Sequence, residues 1–207
     1  MTEADTRSRI LDAAEEQFAS KGFSAASLRG ITQAAGVNLA SVHYHFGSKD
    51  GLLHELVRSR FAPICRERLV GLDQAEAAHA PGPVPLEEVV RLFLAPVLRR
   101  FADAASPFPR LIGRLHLDPH PDLLRWMREL LEPTVERYLD ALQRGLPGVP
   151  RQRLFLRASF MLGSMIHLLC NGRLQHEAFG VDDAAFEDAD LLLDELVRYS
   201  SAGLAHA

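Results

Sequence analysis

The chain has 207 residues, 47% of them hydrophobic, and a net charge of −4, so it can bury a sizeable core and is too apolar to be mainly disordered. Its polar start, MTEADTRSR, lacks the apolar segment of a signal peptide, and no run reads as the roughly 18 apolar residues of a membrane span, so a soluble cytoplasmic protein without a membrane partner is expected. Cys65 and Cys170 lie far apart without a CxxC pair, which excludes a disulfide framework and a zinc finger and reads as two reduced core thiols.

Residues 7–21 carry Ile10, Leu11, Ala14 and Phe18 as one stripe along a helix that Gly22 closes. Ser27 caps a second, short helix through Leu28, Ile31, Ala34 and Ala35, and Gly36 ends it by supplying a left-handed turn. A third short helix runs from Leu39 to His45. Phe46 and Gly47 end it, and Ser48 caps a longer fourth helix bearing Leu52, Leu53, Leu56, Val57, Phe61 and Ile64. From Gly71 to Pro85 the Ala-, Pro- and Gly-rich composition predicts the one loop of any length. Further helices are expected over Leu86–Ala104, Phe108–Leu115, Leu123–Leu142, Arg151–Leu174 and Asp183–Ser200, kinked at Pro96 and Pro133. No segment alternates as a strand does and no repeat is present, so the expected fold class is all-α.

The helix from Arg151 to Leu174 has two apolar faces. One holds Leu154, Phe155, Ala158, Met161, Leu162, Met165 and Leu169; the other holds Phe160, Gly163, His167, Cys170 and Leu174. A helix apolar on both sides must be covered on both sides. The last helix, with Phe186, Ala189, Leu193, Leu196 and Val197 on one face, is its natural partner. A four-helix homodimer interface is therefore expected, drawing on Met161, Met165, Leu169, Phe186, Leu193, Leu196 and Val197.

Two short helices joined at Gly36 between two longer ones have the layout of a helix-turn-helix, whose second short helix enters the major groove. Ala34 and Ala35 let the helices cross closely, and Val37, Val42 and Phe46 supply a small core. Leu39, Ala40, Ser41, His43, Tyr44 and His45 then project outward to varying degrees, at a helix end whose dipole favours phosphate. Acidic and basic side chains cancel over residues 1–65, so contact with DNA must come from placement, helix N-termini and polar donors. His43 and His45 do not share a metal, because residues two apart on a helix point about 200° apart around its axis.

At these residues the stretch ILDAAEEQFASKGFSAASLRGITQAAGVNLASVHYHFGSKDGLL, residues 10–53, resembles the N-terminal DNA-binding domain of the TetR family of bacterial transcriptional regulators. The helix-one pattern, the KGF and AAGV turns, the Tyr-His-Phe ending and the Ser-Lys cap occur in order. The likeness covers about the first quarter of the chain, and LIGRLHLDPHPDLLRWM is similar to one C-terminal subgroup. It implies that Ser27, Arg29, Tyr44 and Lys49 hold the phosphate backbone, that Leu39, Ala40, Ser41 and His43 face the bases, and that His45 reaches phosphate or base edge. Leu39 and Ala40 are apolar and discriminate only by touching thymine methyls. Many members carry a polar or basic residue near position 39 and a tyrosine near position 43, where this chain has Leu39 and His43.

Taken singly, Phe108, Trp126, Met127 and Phe160 read as core. The resemblance implies in addition a ligand cavity among the middle helices, lined by Phe101, Phe108, Leu111, Leu115, Trp126, Met127, Phe160 and His167 and suited to a hydrophobic effector. The expected organisation is a helix-turn-helix DNA-binding domain over residues 1–50 and a helical effector-binding and dimerisation domain over 51–207. The expected function is a repressor that binds a palindromic operator as a homodimer and is released by a small effector, without cofactor or metal. Two other classes compete: a metal-assisted hydrolase using His116, Asp118 and His120, and a helical adaptor for another protein. Against an enzyme, the chain lacks a GxSxG elbow, a HExxH helix, a phosphate-cradling glycine loop and a dinucleotide fingerprint. His167 and Cys170, one turn apart, read as core or interface.

Overall fold

The computed structural model describes residues 3–101, 106–117, 120–180 and 188–206. Among these residues there are helices and no strand: α1 (Glu3–Ala25), α2 (Leu28–Ala35), α3 (Leu39–Phe46), α4 (Lys49–His79), α5 (Leu86–Phe101), α6 (Phe108–Leu117), α7 (Leu123–Gly145), α8 (Arg151–Phe179) and α9 (Ala189–Ala205). The chain divides into two compact units. Unit one comprises the described residues of Met1–Ala62 and Pro107–Leu130, and unit two those of Pro63–Ser106 and Leu131–Ala207. Helices α4 and α7 each contribute one end to each unit.

Unit one is built on the α1 stripe of Ile10, Leu11, Ala14 and Phe18. It is joined by Ile31 and Ala35 of α2, Val42 of α3, and Leu52, Leu53, Leu56 and Val57 of α4. Each of the larger of these side chains, the valines, leucines, isoleucines and Phe18, stabilises the unit by about 1.5–3 kcal/mol relative to exposure. Only Ala35 of the predicted alanine pair packs at the helix crossing; Ala34 is exposed. Arg60 donates to the buried Glu15 at 2.8 Å and to Asp12 at 2.6 Å. Burial nevertheless holds the Glu15 carboxyl above its ordinary range, against the pull of Arg60. For Glu55 burial also pushes upward, but hydrogen bonds and charge from Arg58 and Arg7 outweigh it and bring the carboxyl below its usual value.

In unit two α9 packs against α5 and α8. Met161, Met165, Leu193, Leu196 and Val197, expected at a dimer interface, are buried here within one chain. They have no surface left for a second copy. Leu169 is half-buried, and Phe186 and Asp183 lie outside the described residues. What α8 exposes instead is Phe155 (55%), Leu156, Phe160 (63%) and Leu162. By length and composition Arg151–Cys170, with a mean hydropathy of 1.3, passes as a membrane span, contrary to the sequence reading.

Helix α4 continues to His79 through most of the stretch predicted as a loop, because Gln, Ala and Glu are strong helix formers and Leu72 and Ala75 are buried. Gly22 breaks α1 as expected, at φ 77° and ψ 165°, but the chain resumes helical hydrogen bonding up to Ala25. Pro96 and Pro133 lie inside helices that continue past them, as does Pro63.

Candidate nucleic-acid interface

Ser27 enters α2 from extended backbone, and its hydroxyl oxygen accepts the Gly30 amide at 3.1 Å. That satisfies one of the orphan donors of the first turn and leaves the hydroxyl hydrogen for an outside acceptor. Gly36 then takes φ 62° and ψ 39°, donating its amide to Gln33 O at 3.3 Å, while Val37 N donates to Thr32 O at 3.0 Å. A side chain is strained in that conformation, and a Cβ there would stand 2.7 Å from Arg9 Nη2. Arg9 reaches across from α1 to donate to the carbonyls of Ala35 and Gly36, fixing the turn. Asn38 opens α3: its side-chain oxygen accepts both the Ser41 amide at 2.8 Å and the Ser41 hydroxyl at 3.0 Å. Sequence reasoning passed over Arg9 and Asn38, although Asn three residues before Ser at a helix start signals a cap.

Helix α3 buries one residue, Val42, and turns most of the rest outward. Tyr44 is 77% exposed and Leu39 41%; Ala40 and His43 are exposed, and Ser41 and His45 half-buried. His43 Nδ1 donates to Gly47 O at 2.9 Å, which holds the ring at the end of α3. Tyr44 meets the His45 ring edge-on with centroids 5.0 Å apart, keeping its hydroxyl outward. Arg29 is exposed in the first turn of α2. Lys49 behaves differently from its expected partners: Nζ lies 4.4 Å from the centroid of the Phe23 ring and 3.4 Å from Ser24 O. Burial lowers the pKa of this amine. In this state Lys49 braces the end of α1.

The α3–α4 corner depends on a second glycine. Ser48 Oγ accepts Gly51 N at 3.0 Å, and Ser48 O accepts Leu52 N at 3.0 Å. A Cβ on Gly51 would lie 2.2 Å from the carbonyl oxygen of Phe46, the last residue of α3.

The residues expected around an effector separate. Leu111 and Leu115 belong to the core of unit one, with Trp126 and Met127 packed against it, and Phe108 is buried beside Phe61. Phe160 and His167 are exposed on α8, and for Phe101 only the backbone is described. Unit two instead contains a cavity of about 200 Å³ that none of the eight lines. Its wall is Val89, Val90 and Phe93 of α5, Val135, Tyr138, Leu139 and Leu142 of α7, Phe155, Ala158, Ser159, Met161 and Leu162 of α8, and Leu204 of α9. The side-chain hydroxyls of that wall are engaged, Tyr138 donating to Arg68 O at 2.9 Å and Ser159 to Phe155 O at 2.9 Å. An occupant meets hydrocarbon almost everywhere.

The proposed metal cluster does not assemble among the described residues, where no group of three ligating side chains suits a metal. His116 is exposed, Asp118 lies outside the described residues, and His120 is committed elsewhere. Its ring stacks on Trp126 at 5.0 Å, Nδ1 accepts Asp122 N at 3.2 Å, and Nε2 faces Asp50 Oδ1 at 2.9 Å. Cys170 is half-buried, and burial pushes its thiol upward.

A capped, outward-facing α3 set on a glycine-turned α2 defines a helix-turn-helix with an appended helical unit. Residues 10–56 match the model of the bacterial regulatory proteins of the tetR family, and residues 87–203 match the tetracyclin repressor-like C-terminal domain. The chain belongs to the TetR family. Among curated proteins it is 42% identical over 60 residues to the transcriptional regulator SrpR of Pseudomonas putida, covering 29% of this chain and 28% of that one. It is 57% identical over 44 residues to RaaS of Mycobacterium tuberculosis, covering 21% and 20%. These matches span well under a third of the relatives' length. The solved structure of the fatty acid degradation regulator FadR from Bacillus halodurans shares the fold, with a TM-score of 0.72 at 17% identity over 98% of this chain and 97% of that one. A TetR-like regulator from Rhodococcus does so with a TM-score of 0.59 at 21% identity over the whole of both chains.

Proposed function

We propose that this chain is a ligand-responsive repressor that binds a palindromic operator as a homodimer and is released by a small apolar effector. The observation that carries the DNA side is α3, pinned through Val42 while Tyr44 and Leu39 stand exposed. In this reading Tyr44, Ser27 and Arg29 hold phosphates, and Lys49 joins them by leaving the Phe23 ring. Leu39, Ala40, Ser41 and His43 face the bases, with His45 at the groove edge. Phosphate contacts set register and carry no sequence information; the base-facing residues supply it.

The homodimer reading rests on Phe155, Leu156, Phe160 and Leu162, a run of large apolar side chains exposed on α8. A second copy covers such a face in a closed, self-complementary pairing. The effector reading moves from the residues expected in the sequence to the cavity of unit two, whose lining offers little but hydrocarbon. Release follows from a population shift: an effector that binds one of two conformations better displaces the equilibrium by its differential affinity and no more. A regulator of this kind acts in the cytoplasm.

The test is binding of purified protein to duplex DNA from upstream of its own gene as a function of salt. Affinity that falls steeply as salt rises, at two chains per site, supports the reading. A protein that ignores duplexes at low ionic strength ends it.

A further inference from the structure

A buried cation stands behind the cavity wall. Arg68 of α4 is 6% exposed, and its guanidinium lies 3.7 Å from the centroid of the Phe93 ring, a wall residue. Nε donates to Phe93 O at 2.8 Å. Among the described residues that is the only hydrogen bond of the guanidinium and no carboxylate lies within ion-pair distance; neither Nη is a fully buried unpartnered atom, so both keep an edge of solvent.

The nearby acids are otherwise engaged. Glu67 is held by Arg100 at 3.1 Å and Arg99 at 3.7 Å, Asp73 by Arg137, and Glu76 by Arg137 at 3.2 Å and by Arg144. Desolvation first, and then the charge of Arg100, lower the Arg68 pKa to about 10 against the opposing pull of Cys65, Tyr138 and Glu67. Among the described residues this largely buried guanidinium has no counter-charge, an unfavourable placement that one aromatic ring and one carbonyl offset only in part. Guanidinium geometry matches a carboxylate through two parallel hydrogen bonds, and the two free Nη nitrogens are the donors such a pairing uses. Tyr138, the other wall residue touching Arg68, already gives its proton to the Arg68 carbonyl, so it neither supplies nor competes for the anion.

We propose that the effector is an amphiphilic monocarboxylate, its hydrocarbon part in the unit-two cavity and its carboxylate paired with the Arg68 guanidinium once the Phe93 ring swings aside. This rests on the reading of that cavity as the effector site. A cavity of about 200 Å³ holds a chain or ring on the order of eight carbons, since about 150 Å³ admits benzene. The anion completes the guanidinium's hydrogen bonds and neutralises its charge, so headgroup and tail each meet a complementary surface.

The test compares octanoate, 1-octanol and octylamine by calorimetric titration of the full chain and of Arg68→Met. The unaltered protein is expected to prefer octanoate over octanol by about tenfold or more and octanol over octylamine, as charge-assisted hydrogen bonds in a desolvated site dictate. In Arg68→Met the octanoate preference collapses to within about threefold, while octanol still binds. Equal binding of the three ligands to the unaltered protein overturns the carboxylate assignment and leaves the apolar-cavity reading standing. A preference that survives Arg68→Met removes Arg68 as the anchor. Should the variant fail to fold, the order of the three ligands on the unaltered protein decides, and binding of none of them overturns both readings.

Discussion

Gly51→Ala tests how the recognition helix is held. The added methyl would sit 2.2 Å from Phe46 O, an atom of the backbone with no side-chain freedom to yield, so α3 must shift or the first turn of α4 must open. Opening that turn gives up the Ser48 cap to Gly51 N, worth about 1 kcal/mol. Overpacking adds about 1–3 kcal/mol, and the helix preference of alanine over glycine returns about 1 kcal/mol. The net expectation is destabilisation of about 1–3 kcal/mol. Trp126, the only tryptophan, packs against the core of unit one, so its fluorescence reports this unit during urea unfolding. With a urea slope of about 2 kcal/mol/M the midpoint falls by about 1 M, and affinity for DNA falls with it. A midpoint equal to or above that of the unaltered chain would show that the corner is not constrained as described.

Other perturbations reach separate parts of the molecule. Tyr44→Ala is expected to weaken binding to all duplexes alike and to reduce the salt slope by about one, measured by anisotropy across a salt series. Phe160→Glu, on the exposed face of α8, is expected to give a folded monomer in sedimentation; a dimer of undiminished affinity would move the interface elsewhere. Because the Glu55 carboxyl is lowered in the folded state, its stabilisation is full above the ordinary carboxylate value of about 4.3 and is lost as pH falls through the lower folded value. Glu55→Gln therefore flattens the acid limb of stability against pH. Glu15 has the opposite sign, since its raised value makes the folded state lose stability as pH rises from about 4.3 to the higher folded value, and Glu15→Gln removes that loss.

The DNA-binding head was legible because its geometry is local. Gly36, Ser27 and Gly47 each act on a few neighbouring residues, and their positions bracket α2 and α3 with little help from the rest of the chain. What escaped depends on distant partners. Arg9 fixes the turn from 27 residues away in sequence, at Gly36, and Arg68 meets Phe93 from 25 away. That α8 is apolar all round was visible, but the structure divides the first predicted face: Met161 and Met165 went to the core, while Phe155 and Leu162 of that same face, and Phe160 of the other, went to the surface. The cavity followed from the same choice, so its lining was out of reach of periodicity. The predicted loop is overlong for another reason: alanine beside proline and glycine resembles a loop in composition, yet alanine itself favours the helix that α4 continues to His79.

Selection of binding sites from random duplex DNA, followed by counting chains per selected duplex, bears most directly on the whole account. The expected product is an inverted repeat bound by two chains, with sequence preference altered by replacing Leu39 or Ala40 and overall affinity lowered by replacing Tyr44. Recovery of no enriched sequence, or of a single half-site bound by one chain, would contradict it.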